Sequence, residues 1–308
     1  MIVNKASVTA LEKAFIKIFT DALHGGSASP MHPKFANRFP NTAAALDLSW
    51  MAAIPGMRKM QGAAQVNNLE VVNWVIPNDE FEDTIGVKVK DLERDQLGLY
   101  NERFKLLGDA AARHPDELLA QVMLAGFTNK DYTGKNFFDT AKKHFPTGKS
   151  AFTNKLTTVL APESFKEART ALKTSKIVFP DNSETQLNLG RELTLVVSPS
   201  NEDAALAILS AERLENGATN TLRNAAKLEV WGYLGDSPAW FLMDTGHAMK
   251  PFAFSDEKPT TVVGCTNPED SHVIKHKEYI YQAYGRYAVG YLLPQLIIGS
   301  TGADDIEE

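Results

Sequence analysis

Between residues 97 and 126 the apolar side chains return every three or four positions, first as Leu97, Tyr100, Phe104, Leu107 and Ala111, then, after His114-Pro115, as Leu118, Leu119, Val122 and Met123 before Gly126. That spacing predicts two amphipathic helices. Pro115 suits the first turn of the second helix, with Asp116 and Glu117 close to its positive end. Laid nearly end to end, the two would span about 45 Å at about 1.5 Å per residue. A rod of that length is awkward inside a compact enzyme domain and natural for a spine that carries the rest of the fold. Its core-facing stripe is expected to be Leu97, Tyr100, Phe104, Leu107, Leu118 and Val122.

The segments around this rod change period. Over residues 8 to 23, Val8, Leu11, Phe15, Ile18, Phe19, Ala22 and Leu23 form one apolar helical stripe, which Gly25-Gly26-Ser27-Ala28-Ser29-Pro30 ends. The stripe must be buried, either as a tethered arm reaching elsewhere or on its own domain, and the spacing leaves both open. Residues 69 to 76 and 81 to 89 read as two strands around Pro77-Asn78-Asp79-Glu80, a hairpin roughly 27 Å long at about 3.3 Å per residue. Small residues before it suggest that it projects from the body. A lone two-stranded ribbon is marginal in water, so its apolar residues Val71, Trp74, Ile76, Phe81 and Ile85 are expected to lie on a neighbouring copy.

Downstream, residues 128 to 160 are loop-rich, and a helix follows from Pro162 to Thr174. Strand Leu193 to Ser198, a helix opened by Ser200 with Asp203 three residues on, and strand Lys227 to Leu234 predict a small α/β lobe. Further strands fall at Trp240 to Asp244, Pro251 to Phe254 and Glu278 to Leu293. The order of elements makes the chain an α+β protein.

Catalytic chemistry is not legible. Gly148-Lys149-Ser150 ends like a phosphate-binding loop, but Lys143 stands where its first glycine belongs and no apolar strand leads into it, so the match is coincidental. His272 and His276 have the four-residue spacing of a helical metal pair. Val273 and Ile274 between them favour extended chain, which would set the imidazoles far apart, and no third ligand is apparent. The carboxylates Asp79-Glu80, Glu82-Asp83 and Glu93-Asp95 sit at turns or on an outward strand face and read as solvation, not as an acid/base pair. Cys265, the single cysteine, excludes an internal disulfide and reads as a small residue near a sheet end. No hydrolase elbow, dinucleotide fingerprint or zinc-protease helix occurs. No catalytic, cofactor or metal site is therefore expected.

Partner classes narrow in the same way. A net charge of -6 argues against a protein that grips nucleic acid, and the acidic end Ala303 to Glu308 reads as a solvated tail. No run of about 18 apolar residues suggests a membrane span, and MIVNKASVTALEKAF lacks the layout of a signal peptide. The expectation is a chain that is intracellular when made.

Particular strings then carry a resemblance. His114 through Leu119, Gly126-Phe127 and Tyr132-Thr133-Gly134-Lys135-Asn136-Phe137-Phe138-Asp139-Thr140 come first. Leu195 through Pro199, Trp240 through Thr245, Lys250-Pro251-Phe252, and Gly290-Tyr291 through Gln295-Leu296 to Gly299-Ser300 follow in the same order. Together they resemble the major head subunits, the T protein family, of phage Mu and its relatives, over nearly the whole chain. One departure is Ala141-Lys142-Lys143 before His144, where the family tends to run from Phe-Phe-Asp-Thr into Asp-His-Pro; no special role of that loop is carried over.

The resemblance implies a Hong Kong 97-type capsid fold: an N-terminal arm and the start of the peripheral domain at 1–53, an extended loop at 54–92, a peripheral domain with the spine helix at 93–190, an axial domain at 191–250, and a return to the peripheral domain with the acidic tail at 251–308. It implies a structural shell protein of the virion, assembled in the host bacterial cytoplasm as hexamers and pentamers with scaffold and portal proteins, then decoration proteins, around double-stranded DNA held only weakly. An encapsulin-like nanocompartment shell would share the fold and differ in its contents.

Overall fold

The rod over 97–126 is a single helix. The computed structural model describes residues 5–25, 30–49, 74–94, 97–146, 150–178, 184–213, 217 and 219–303. In it Pro115 lies inside one 29-residue helix, Leu97–Ala125 (α4). The proline removes one hydrogen-bond donor from the ladder, and burial of both flanking turns holds the helix through the gap. The expected second helix start is therefore absent, and Asp116 has another role. Its carboxylate accepts the backbone N–H groups of Met31 and His32, each at 2.8 Å, and bonds the His32 ring at 2.7 Å. It thereby caps the short helix His32–Phe35 (α2).

The first helix, Lys5–Gly25 (α1), docks on α4 and settles the alternative left open by its stripe. Phe15 stacks on Phe104 with ring centres 4.4 Å apart, and both stand edge-on to Tyr281. The close approach depends on Gly108, where a Cβ would lie 2.6 Å from the Phe19 carbonyl oxygen.

Four strands form the sheet beneath α1 and the first half of α4, in the order Ala36–Pro40 (β1), Phe252–Cys265 (β13), Glu278–Tyr291 (β14) and Asp79–Lys88 (β4). β1 runs parallel to β13, and the other pairings are antiparallel. The strand expected to stop at Phe254 thus continues to Cys265. Of the hairpin expected over 69–89, residues 69–73 lie outside the described residues; among the described ones, Val75–Pro77 (β3) pairs with Ala45–Asp47 (β2), and β4 pairs with β14 from Asp79 opposite Tyr287 to Lys88 opposite Glu278. A ten-residue register on a long aromatic strand outcompetes a local turn, because it puts Ile85 and Val87 on the same apolar face as Tyr279 and Tyr281. The five-residue helix Val89–Glu93 (α3) leads from β4 towards α4.

A second sheet has the order Lys227–Val230 (β11), Leu193–Val197 (β10), Trp240–Asp244 (β12), Ile297–Ser300 (β15) and Lys155–Leu156 (β7). Its central strands are buried on both faces, which explains their unbroken apolar runs. Leu193, Leu195, Val197, Trp240 and Leu242 face one core with the helices Pro162–Lys173 (α5) and Glu202–Leu209 (α6). Val196, Phe241 and Met243 face another, with Leu119, Ala120 and Met123 of α4. β7 and β15 come from the stretches expected to be peripheral, so this sheet draws on more than residues 191–250. The strand expected over Lys227 to Leu234 ends at Val230; the Trp231 N–H bonds the Val197 carbonyl at 2.8 Å and a 3-10 turn follows.

Two small ribbons complete the described chain, Lys142–Lys143 (β5) with Ala151–Phe152 (β6), and Lys176–Val178 (β8) with Glu184–Gln186 (β9). The last helix is Ser271–His276 (α7). Here too the extended chain expected from Val273 and Ile274 is corrected: Val273 is buried, and Lys277 in a left-handed conformation closes the helix by donating its N–H to the Val273 carbonyl.

Candidate functional site

The residues expected to make the contact between copies are placed on this chain's own core. Ile76 and Ile85 are buried within it. Trp74 is half-buried between two cores, and its Nε1–H donates to the Tyr291 carbonyl at 3.2 Å. Phe81 is half-buried against His114 and Tyr287, with ring centres 4.5 and 4.7 Å away. Within the chain Ile76 and Ile85 are covered, whereas Trp74 and Phe81 keep part of their surface open to a neighbouring copy. Val71 lies outside the described residues.

Along the spine, Tyr100, Phe104 and Leu107 are buried, whereas Leu97, Leu118 and Val122 are half-buried at the edges of the same cores. Leu119, Ala120 and Met123 carry the second half of α4. On its outer face Leu99 and Leu106 remain 63% and 62% exposed, seven residues and hence two turns apart. A periodicity argument passes over them, because it selects the buried stripe.

Beside that face, α4 and β4 enclose a groove of about 390 Å³. Leu107, Ala111 and Phe81 make it apolar, and Glu80, Glu82 and Asp83 make its rim acidic. At its end His114 Nδ1 and the Tyr287 hydroxyl are hydrogen-bonded at 2.8 Å. Burial lowers the His114 pKa and pushes Tyr287 up to about 12, so both are neutral near pH 7. Tyr287 is held further by a side-chain hydrogen bond with Thr260.

The loop after α4 holds a buried ion pair. The Lys142 ammonium lies 2.7 Å from Asp131 Oδ2, with both side chains 0% exposed. Lys142 also donates to the Asn136 carbonyl at 2.7 Å, and Asp131 Oδ1 accepts the Thr133 hydroxyl and N–H. Desolvation raises the Asp131 pKa and lowers that of Lys142, with their mutual attraction opposing both shifts. Lys142 stands in the stretch where the sequence departs from the pattern it resembles, and here it anchors the loop.

Cys265 ends β13, as its sheet-end reading has it, and its Sγ–H donates to Asp270 Oδ2 at 2.9 Å. That hydrogen bond raises the thiol pKa, the opposite of an activated nucleophile. Gly148 and Lys149 of the phosphate-loop look-alike lie outside the described residues. Among the described residues no three or more His, Cys, Asp or Glu gather as a metal cluster, and no helix is long and apolar enough to cross a membrane.

Among the described residues no reacting centre is assembled, and the chain's likeness to known proteins points to its role instead. The model of the family described as Mu-like prophage major head subunit gpT matches residues 8–158, 149–234 and 230–307. The major capsid protein of Escherichia phage Mu is 24% identical over 302 residues, which are 98% of this chain and 76% of that protein. Among solved structures, a subunit of the procapsid of bacteriophage JBD30 aligns with a TM-score of 0.62 at 24% identity, covering 99% of this chain and 78% of its own. A subunit of the JBD30 capsid decorated with minor capsid protein trimers aligns at 0.50, with 20% identity and coverage of 97% and 72%. The shared architecture is the Hong Kong 97-type capsid fold.

Proposed function

Because the chain belongs to the Mu-like prophage major head subunit family, and is a major capsid protein of Mu-like phage, we propose that it assembles as hexamers and pentamers into the icosahedral shell around a double-stranded DNA genome. The single observation that carries this reading is the family match, three consecutive segments that together run from residue 8 to 307. A spine helix bound to two sheets supports a structural role.

In this reading residues 1–53 are the arm and the start of the peripheral domain, 54–92 the extended loop, 93–190 and 251–308 the peripheral domain, and 191–250 the axial domain, whose sheet is completed by β7 and β15. A ring needs two different complementary patches on each subunit. Val71 and the outward Leu99 and Leu106 are the apolar residues we assign to neighbouring copies. Assembly takes place in the host bacterial cytoplasm with scaffold and portal proteins. Decoration proteins then bind outside, a step supported by the trimers named for the JBD30 capsid. The net charge of -6 supports weak contact with DNA, confined by packaging instead of adhesion.

Electron microscopy and native mass measurement of the purified protein test this. Rings of five and six copies, or closed shells, are expected. A stable monomer or an isolated twofold dimer under assembly conditions would overturn it.

A further inference from the structure

The two histidines at 272 and 276 form a site that the head-subunit role does not use. They lie on one face of α7, one turn apart, with ring centres 4.5 Å from each other and ring planes tilted by 32°. The Nε2 of His272 is buried with no hydrogen-bond partner among the described residues, a costly state that a ligand relieves. His276 is exposed, so the pair is open to solvent on one side. Val273 is buried beneath the same helix and Lys277 closes it, which fixes the backbone that carries the rings.

The donor set itself narrows the ligand. No third His, Cys, Asp or Glu joins the two imidazoles into a cluster among the described residues, so water completes the coordination. A site of two nitrogens and water oxygens suits Cu²⁺ or Ni²⁺, whereas structural zinc takes four protein ligands.

We propose that His272 and His276 are a two-imidazole chelate for a divalent transition ion, Ni²⁺ or Cu²⁺ ahead of Zn²⁺. The bound ion bridges the ends of a helix of six residues, too short to hold itself.

The test is calorimetric titration of tag-free full-length protein with NiCl₂, CuCl₂ and ZnCl₂, with His272→Gln and His276→Gln as variants. One-to-one binding is expected, tightest for copper and weakest for zinc, and each variant loses at least about tenfold in affinity, because a single imidazole has no partner held at high effective concentration. Diethylpyrocarbonate labelling read by peptide mass gives a second measurement, in which nickel protects His272 and His276 together. Wild-type affinity in either variant, absence of saturable binding, zinc bound more tightly than nickel, or nickel protection elsewhere instead of at this pair would overturn the proposal.

Discussion

Replacing Lys142 by methionine strands a carboxylate. Asp131 and Lys142 are both wholly removed from solvent, and the ammonium 2.7 Å from Oδ2 is the cation that neutralises it. Thr133 satisfies only Oδ1, through its hydroxyl at 2.6 Å and its N–H at 3.0 Å. Methionine fills much of the lysine's volume, so the loss is electrostatic: about 3–5 kcal/mol for breaking a buried pair by removing one partner. The sign of the pH dependence follows. Burial already raises the Asp131 pKa against the pull of Lys142, and without the lysine it rises further. The folded variant therefore binds a proton that the unfolded chain releases, and its deficit is largest well above that raised pKa. The deficit shrinks as the pH falls towards the unfolded value of about 3.9. Urea unfolding of unassembled subunits, followed by tryptophan fluorescence from about pH 8 down to about pH 4, reads both the size and the slope. Asp131→Asn combined with Lys142→Met should recover much of the loss. A deficit under about 1 kcal/mol, or one that does not change with pH, would refute the reasoning.

Three further outcomes are expected. Trp74→Ala and Phe81→Ala should each lower the stability of the unassembled subunit by about 2–4 kcal/mol, whereas unchanged subunit melting with lost shells would assign these residues to an interface between copies instead. Gly108→Val should displace α1 from α4, seen as faster amide exchange over residues 8–23, since even a Cβ meets the Phe19 carbonyl at 2.6 Å. Asp116→Asn should cost about 2 kcal/mol near neutral pH. Although burial opposes ionisation of Asp116, the hydrogen bonds from His32 and the Met31 and His32 N–H groups outweigh it and hold the pKa below the ordinary value. That stability is present above the unfolded pKa of about 3.9 and lost as pH falls through the folded value, so a deficit that persists in acid would count against the capping role.

What the sequence determined is whatever a short stretch of chain decides alone. The α4 stripe of Tyr100, Phe104 and Leu107, the apolar runs at Leu193–Val197 and Trp240–Asp244, and the collinear strings that place the chain in its family are all legible from residue order. Pairings across long separations are not. β4 lies against β14 some two hundred residues later, a pairing that the local turn at 77–80 does not announce, and Tyr279 and Tyr281 share the apolar face of Ile85. Pro115 signals a helix start by its own geometry, and only packing on both sides of it keeps α4 whole. At 272–276 β-branched residues predict extended chain, yet burying Val273 beneath a helical turn wins, which brings two imidazole rings to centres 4.5 Å apart. Local preference is worth a few tenths of a kcal/mol per residue, whereas burying one apolar side chain is worth about 2 kcal/mol. Where the two conflict, tertiary contact decides.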